Sequence, residues 1–180
     1  GAKGIGAAIV KSFHAEGAIV AILDRNPDIA NSLIEELGAN QEKVFCIPTE
    51  LTEESACREA IQRTIEKNGR IDYLIHNAGT NDGVGLDSPT EDFFNSLRKN
   101  LVHVFALTHY SLNELVRNKG AVINIGSKVA ETGQGGTSGY AASKGAMNAL
   151  TREWALDLAD KGVRVNAVIP AEVMTPMYQR

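Results

Sequence analysis

Five short apolar segments alternate with longer segments of helical periodicity along this chain of 180 residues, and no other feature constrains the fold as strongly. The apolar segments are residues 18–23, 44–47, 71–75, 121–125 and 163–169. Continuous apolar runs of this length are typical of strands that a parallel sheet buries on both faces. Because helices connect parallel strands by right-handed crossovers, the alternation predicts one α/β domain with a parallel sheet.

The segments between the strands have apolar residues on one helical face, with residues at their ends that begin and end helices. We predict helices over 7–16, 27–37, 56–67, 90–118 and 140–160. The fourth of these is long enough to be two helices in succession. Residues 52–55 resemble a capping box before the third helix, and residues 80–89 form a polar loop without periodicity.

The stretch from Gly126 to Gly145 leads from a strand through a Gly-rich loop into a helix. On that helix Tyr140 and Lys144 are four residues apart, so their side chains share one face. An ammonium group nearby favours the phenolate, and we expect Lys144 to lower the pKa of Tyr140 from its usual value of about 10. Such a tyrosine could take a proton from an alcohol or give one to a carbonyl. The alternative for this pair is a solvated helix face.

Polar or conformationally special residues stand just past each strand. They are Asp24, Glu50, Asn77, Ser127 and Pro170. Ligands of open parallel sheets bind outside the carboxyl ends of the strands, so this edge is the predicted ligand site. Ser127 lies thirteen residues before Tyr140, and its hydroxyl could bond the same substrate oxygen. Alternatively, Ser127 only satisfies a strand end and Asn77 forms a turn.

Gly4, Ile5 and Gly6 stand immediately before the first predicted helix. Glycines let the backbone come close to a pyrophosphate, and a helix N-terminus adds free N–H groups and a partial positive charge. Asp24 follows Gly6 by eighteen residues. This is about the spacing of the carboxylate that binds the adenosine ribose in dinucleotide folds. A dinucleotide site is therefore predicted, with an ordinary Gly-rich loop and a helix-capping Asp24 as the alternatives.

Charge and cysteine content narrow the possible partners. The formal net charge is −4 and the chain has no basic run, which argues against nucleic acid and anionic membranes as partners. No apolar run is long enough to span a bilayer. Two isolated thiols, Cys46 and Cys57, favour a reducing, cytoplasmic setting. The four histidines lack metal-ligand spacing, so we predict no metal site and a small molecule as the ligand.

Taken in order, these motifs resemble those of the short-chain dehydrogenase/reductase family over essentially the whole chain. The motifs are Gly4-Ile5-Gly6, Asp24, Asn77-Ala78-Gly79, Asn100, Ser127, Tyr140-x-x-x-Lys144 and residues 165–170. The resemblance implies a Rossmann-like, doubly wound parallel sheet. It also implies an NAD(P)-dependent enzyme that transfers a hydride between a CH–OH group and a nicotinamide cofactor.

The resemblance further implies roles for single residues. Tyr140 would be the catalytic acid/base, Lys144 would lower its pKa and hold the nicotinamide ribose, Ser127 would orient the substrate oxygen, and Asn100 would hold a relay water. The cofactor would contact Gly4, Ile5, Gly6, Asp24, Glu50, Leu51, Asn77, Ala78, Gly79, Tyr140, Lys144, Pro170, Val173 and Thr175. The substrate would contact Ser127, Gln134, Tyr140 and Glu172.

Asp24 bears on the choice of cofactor. A carboxylate accepts hydrogen bonds from the ribose 2′-hydroxyl and repels a 2′-phosphate, so NAD is expected rather than NADP. Lys3 and Arg25 favour the opposite choice, because either could meet a phosphate. Three positions depart from the family pattern: His76 stands where an Asn is frequent, Ala171 stands where a Gly is usual after the proline, and Glu50 stands where an Asp frequently contacts adenine.

The family pattern also extends past both ends of the chain. Its first strand and the opening Thr-Gly of its Gly motif would precede Gly1, and its last strand and pocket-closing helices would follow Arg180. We therefore expect residues 1–180 to form a single dinucleotide-binding catalytic domain that is incomplete at both ends. The absent first strand would lie between the strands that end at Asp24 and His76.

The loops expected around the substrate are polar and contain Asn81, Asp82, Gln134 and Glu172. Such groups can bond the hydroxyls of a sugar or polyol. Within the family, residues 79–86, 132–135 and 170–176 are most similar to sugar dehydrogenases of the L-fucose dehydrogenase type. The alternatives are a 3-oxoacyl-(acyl carrier protein) reductase or other ketoreductase and, from another class, a non-catalytic nucleotide-binding regulatory subunit. By the family's habit, helices around 100–118 and 140–160 would pack across a homodimer or homotetramer interface.

Overall fold

A computed structural model describes residues 1–175, and in it helices alternate with parallel strands, as the fold-class prediction requires. The helices are α1 (Gly4–Ala15), α2 (Pro27–Glu36), α3 (Glu54–Asn68), α4 (Thr90–Leu97), α5 (His103–Asn118), α6 (Val129–Thr132) and α7 (Ser138–Asp157). The strands are β1 (Val20–Asp24), β2 (Val44–Pro48), β3 (Tyr73–His76), β4 (Ala121–Ile125) and β5 (Arg164–Val168). Pro176, the last residue of the segment compared with sugar dehydrogenases, lies outside the described residues.

The strands are hydrogen bonded into two parallel sheets, where the alternation predicted one. β1 pairs with β2, and β3, β4 and β5 form the second sheet with β4 in the middle. The two sheets belong to two compact units, Gly1–Gly69 with the described residues from Glu172, and Arg70–Ala171. The family resemblance expects a further strand between those that end at Asp24 and His76, and residues 1–175 contain no such strand.

The first unit packs α1 and α2 against its two-stranded sheet. Its core includes Val10, Ile22, Leu33 and Val44, which is the burial expected of apolar helix stripes on a parallel sheet. Helix α2 begins at Pro27 because the side chain of Asn26 accepts hydrogen bonds from the next free N–H groups of the helix. Asp24 therefore does not cap this helix, which removes the alternative explanation for that carboxylate.

The predicted capping box of α3 is wrong. The helix begins at Glu54 without a side-chain cap. The Thr52 hydroxyl instead donates to the Glu50 carboxylate at 2.9 Å, and the Thr52 N–H donates to the same oxygen at 3.2 Å. Glu50 thus holds the turn between β2 and α3.

In the second unit, the segment predicted as one long helix contains a π-helical turn. Helix α4 continues through Arg98–Val102, a π-helix, into α5. Such a turn adds one residue to the helix and appears frequently at functional sites. Asn100 lies in the middle of this turn and is fully buried.

Candidate active site

The four residues expected to be catalytic all lie in the second unit, on three neighbouring elements. Ser127 follows β4, Tyr140 and Lys144 lie in the first two turns of α7, and Asn100 lies in the π turn. Helix α7 is held against the sheet from within, because the buried Asn124 of β4 donates to the Thr151 hydroxyl at 2.8 Å. The sheet and α7 therefore fix where the end of β4 and the first turns of α7 meet.

The Ser127 hydroxyl lies near the phenol of Tyr140 and acts to lower the pKa of that phenol. Its oxygen accepts from the Val129 N–H at 3.3 Å, so its own proton is available for the phenol. Burial raises the pKa of Tyr140, and Ser127 offsets this only in part. The sequence predicted that these two hydroxyls lie near one another, and they do.

Lys144 lies below Tyr140 on the same helix face, but its ammonium group does not point at the phenol oxygen. It donates to the Ile125 carbonyl at 2.7 Å, lies 3.4 Å from the Met147 sulfur, and is 5.8 Å from the centre of the Tyr140 ring. Lys144 is 2% exposed, and this burial lowers its pKa to about 8. The expected lowering of the Tyr140 pKa is therefore wrong for this arrangement, because burial of the phenol outweighs its neighbours.

Asn100 joins this group through Gly79. Its carboxamide oxygen accepts from the Thr80 N–H at 2.7 Å, and its amide nitrogen donates to the Ser96 carbonyl at 3.0 Å. A Cβ placed on Gly79 would lie 3.2 Å from that oxygen and 3.4 Å from the Lys144 nitrogen. The Gly79 backbone thus lies between the Asn100 oxygen and the Lys144 ammonium, and the absence of a side chain there keeps them close.

Two buried histidines near Lys144 were not singled out from the sequence as site residues. His76 forms a 2.9 Å hydrogen bond with the Thr108 hydroxyl, which itself donates to the Val104 carbonyl, so the Nε2 atom of His76 must be the donor. Burial is the largest cause that lowers the pKa of His76 to about 3, and repulsion from the Lys144 ammonium, and from His103 when that ring is protonated, lowers it further. Burial and Lys144 lower the pKa of His103 to about 4. Both imidazoles are therefore neutral at pH 7.

The Gly motif and Asp24 lie in the first unit. The Asp24 carboxylate accepts from the Ala2 N–H at 3.1 Å and the Asn26 N–H at 3.0 Å. Burial raises the pKa of this carboxyl, and these two hydrogen bonds lower it. Asp24 therefore places a hydrogen-bonded carboxylate at the carboxyl end of β1.

A cleft of about 420 Å³ in the first unit brings the Gly motif together with residues from the far end of the chain. Gly4 and Ile5 line it from α1, and Val173 and Thr175 line it from the opposite side. Gly4 has a φ of +54°, and a Cβ there would contact Thr175 at 3.4 Å. The residues expected to bind the cofactor's phosphates and those expected to bind its carboxamide thus line one cleft. Gly6 is buried in α1.

The remaining residues expected to contact the cofactor lie after β2, β3 and β5. Asn77, Ala78 and Gly79 come directly after β3 and are half-buried, and Leu51 is half-buried in the turn before α3. The Pro170 carbonyl accepts from the Lys128 N–H at 3.0 Å, next to Ser127.

The polar residues expected around the substrate fall into two groups. Gln134 and Glu172 have exposed side chains, the first in the turn after α6. Asp82 is different, because its carboxylate accepts from the Ser96 hydroxyl at 2.9 Å and faces the Lys99 ammonium at 3.5 Å. Asp82 is thus engaged within the protein, where the sequence suggested a sugar-binding group. Ser96 itself was missed, although its position four residues before Asn100 places both on one helix face.

Within residues 1–175, no group of three or more His, Cys, Asp or Glu side chains is arranged to hold a metal ion. No helix in the same range is long and apolar enough to cross a membrane.

Comparison with known proteins gives a consistent result along the chain. The family model described as short chain dehydrogenase matches residues 1–180. The L-fucose dehydrogenase of Rattus norvegicus is 36% identical, over 99% of this chain and 66% of the relative. The chain thus spans about two thirds of that protein's length. The 3-oxoacyl-(acyl-carrier-protein) reductase FabG of Thermotoga maritima is 34% identical, over 99% of this chain and 74% of the relative.

A solved structure is similar to this chain over almost its whole length. A 7α-hydroxysteroid dehydrogenase complexed with NADH and 7-oxo glycochenodeoxycholic acid has a TM-score of 0.92 to this chain. It is 31% identical, over 99% of this chain and 70% of that protein. The three relatives are named for a sugar, an acyl-carrier-protein thioester and a steroid, so likeness alone does not choose among these substrate classes.

Proposed function

Because the chain belongs to the short-chain dehydrogenase family, we propose that it is an oxidoreductase that transfers a hydride between a secondary alcohol and NAD. The observation that carries this proposal is that the Ser127 and Tyr140 hydroxyls lie near one another, beside the buried Lys144 ammonium. A hydroxyl pair of this kind binds a carbonyl or alcohol oxygen from two sides. No such pair is needed in a protein that only binds a nucleotide, which counts against a regulatory subunit.

The residues of the first unit fit a dinucleotide. Gly4 keeps the cleft open where a Cβ would contact Thr175, and the N–H groups at the start of α1 can meet phosphate oxygens. Val173 and Thr175 line the same cleft and would hold the carboxamide, and Asp24 would accept from the adenosine ribose. When bound, the nicotinamide would supply the hydride acceptor for oxidation or the donor for reduction.

Proton transfer falls to Tyr140. In reduction the Tyr140 phenol would give its proton to the carbonyl oxygen as the hydride arrives from the cofactor. In oxidation its phenolate would take that proton as the hydride passes to the cofactor, and the raised pKa makes the phenolate the scarcer form in this arrangement. Ser127 donates a hydrogen bond to the same oxygen and orients it. Lys144 has its pKa lowered to about 8, so it can pass a proton onward near neutral pH. Asn100 would hold the water that connects Lys144 to solvent.

NAD is favoured over NADP by Asp24. Its carboxyl group lies at the end of β1, where a 2′-phosphate would meet a carboxylate. The solved 7α-hydroxysteroid dehydrogenase complexed with NADH supports the same choice.

A sugar or polyol of the L-fucose type is the substrate we favour. The support is the 36% identity to the rat L-fucose dehydrogenase and the polar side chains of Gln134 and Glu172. Asp82 is removed from the set of substrate-binding residues, because its carboxylate is bonded to Ser96. The second candidate is reduction of a 3-oxoacyl thioester, which the 34% identity to the Thermotoga reductase supports.

We further propose a cytoplasmic homo-oligomer, a dimer or tetramer, in which a second copy covers the outer face of α4 and α5. Phe94 and Phe105 are 59% and 57% exposed on these helices, which is unusual for side chains of this size. The long helix α7 would contribute the second contact.

Substitution of Tyr140 by Phe tests the assignment. We expect kcat to fall by about 10²–10⁴, the usual contribution of a positioned acid/base, while NAD affinity changes little. Tyr73→Phe is the matched control, because Tyr73 is exposed at the start of β3, and it should retain full activity. Activity in Tyr140→Phe equal to that of the control would remove Tyr140 from the mechanism.

A substrate screen on the whole protein with NAD in excess separates the candidates. Pyranoses including L-fucose are compared with hydroxysteroids, and 3-oxoacyl thioesters are tested in the reductive direction with NADH and NADPH. The proposal expects the highest kcat/KM for a pyranose. A higher value for the thioester would favour the second candidate, and no turnover with any of them would favour a regulatory subunit.

A further inference from the structure

Ser96 is a fully buried hydroxyl on α4 that contacts three segments of the candidate active site. Its hydroxyl donates to the Asp82 carboxylate at 2.9 Å, in the loop between β3 and α4. Its carbonyl accepts from the Asn100 amide at 3.0 Å, and its hydroxyl oxygen is 3.5 Å from the same nitrogen.

The third segment is the start of α7. A Cβ placed on Gly139 would lie 2.5 Å from both the Cβ and the hydroxyl oxygen of Ser96, so the Gly139 backbone packs directly on this side chain. The Gly139 N–H also donates to the Val84 carbonyl at 3.2 Å, in the same loop as Asp82. Because Tyr140 is the next residue, Ser96 and the loop lie against the turn that carries Tyr140.

The direction of each hydrogen bond in this chain follows from the carboxylate. Ionised Asp82 can only accept, so the Ser96 hydroxyl must donate to it and offers lone pairs to its other neighbour. That neighbour is the Asn100 amide, whose nitrogen also faces the Ser96 carbonyl. The Asn100 oxygen is therefore left to face the Thr80 N–H, at 2.7 Å, on the side where Gly79 separates it from Lys144.

Lys99 faces the same carboxylate. The Asp82 side chain is 13% exposed, and the Lys99 ammonium lies 3.5 Å from its second oxygen. Lys99 stands next to Asn100 in the π turn, so the turn that carries Asn100 also carries the cation that holds Asp82 in place.

We propose that Asp82 and Ser96 are positioning residues that set which end of the Asn100 carboxamide faces Lys144 and that hold the loop of residues 80–87 against the first turn of α7. Neither residue touches the reacting groups. Without the carboxylate, the Ser96 hydroxyl can turn, the Asn100 carboxamide loses its fixed direction, and the loop loses its attachment to α4. This inference rests on the proposed dehydrogenase function for its kinetic consequences and on the hydrogen-bond geometry alone for its structural ones.

The test compares Asp82→Ala, Ser96→Ala and Asp82→Asn with the control Asp87→Asn, which removes an exposed carboxylate from the same loop. We expect Asp82→Ala and Ser96→Ala each to lower kcat by about ten-fold, with KM for NAD within about two-fold of the wild type. Asp82→Asn should recover most of the rate, because its amide oxygen can still accept from Ser96. The double variant should be no slower than either single variant, since both remove the same link.

Hydrogen exchange of the Thr80 amide gives a readout that needs no activity. Its N–H is bonded to the Asn100 oxygen, so Asp82→Ala should exchange this amide about ten-fold faster than Asp87→Asn, with secondary structure unchanged by circular dichroism. Equal exchange in Asp82→Ala and Asp87→Asn overturns the inference, and so does equal kcat in an active enzyme. If the wild type oxidises no alcohol but the exchange difference is found, the positioning network stands and only the dehydrogenase proposal fails.

Discussion

His76 and His103 place two titratable rings inside the second unit, where burial keeps both of them neutral. Their pKa values fall to about 3 and about 4, compared with about 6.5 for a histidine in an unfolded chain. Between pH 4 and pH 6.5, these two histidines bind protons in the unfolded chain but not in the folded protein. Stability is therefore fully present above pH 6.5 and is lost as the pH falls from 6.5 towards 4 and below.

The variant His76→Asn tests this linkage. Each buried neutral histidine should lower the free energy of unfolding by about 1.4 kcal/mol for each unit that the pH falls within this window. Replacement of His76 removes one of the two contributions, so urea unfolding measured from pH 6.5 to 4.5 should give a slope lower by about one proton. A wild-type slope in His76→Asn would mean that this ring is protonated in the folded protein.

For single residues, the sequence predicted which side chains lie close together but not how their surroundings change their pKa values. The spacing of Tyr140 and Lys144 correctly placed them on one helix face, and Ser127 was correctly placed beside the phenol. The direction of the Tyr140 pKa was wrong, because it depends on burial and on where the Lys144 ammonium finds an acceptor. That acceptor is the Ile125 carbonyl, which residue spacing on one helix does not reveal.

Among the secondary-structure elements, the α4–α5 helix shows both what periodicity predicts and what it omits. Residues 90–118 were expected to be helical, and they are, but the π turn at Arg98–Val102 was not expected. One added residue shifts the helical register by only about 100° and leaves apolar spacing on each side intact. Asn100 is buried in this turn. A helical pattern of 3.6 residues per turn without the π turn would not identify Asn100 as a buried residue.

The outer face of this helix offers a prediction about assembly. Phe105 is 57% exposed, and its ring stacks on His109 with centroids 6.0 Å apart. If a second copy covers this face, Phe105→Glu buries a charge in the interface and should shift the protein towards monomer in sedimentation experiments. Leu86→Glu is the control, because Leu86 is 99% exposed in the loop before α4, and it should leave the oligomer intact. Identical sedimentation of wild type and Phe105→Glu would exclude this face from the interface.

For the whole molecule, the order of strands and helices followed from the sequence, but their division into two sheets did not. Each apolar run forms a strand within two residues of its predicted position, because such runs have no stable place outside a buried sheet. Strand pairing depends on hydrogen bonds between segments that are distant in the chain. The local spacing of apolar residues does not reveal which segments those are. Only the family resemblance bears on the division of the strands into two sheets, because it expects a further strand between those that end at Asp24 and His76.

Cofactor binding is a property of the whole molecule, and its effect on unfolding gives the last prediction. A ligand that binds only the folded protein stabilises it by about 2.7 kcal/mol when present at 100 times its dissociation constant. NAD should therefore raise the Tm of the whole protein more than NADP at equal concentration, because the Asp24 carboxylate repels a 2′-phosphate. In Asp24→Asn the charge is lost while an oxygen remains to accept from the Asn26 N–H, so the shifts with NAD and NADP should become more nearly equal. Asp28→Asn, an exposed change in the first turn of α2, should preserve the wild-type difference. Equal shifts with NAD and NADP in the wild type would show that this carboxylate does not select the cofactor, and no shift with either would contradict dinucleotide binding by this chain.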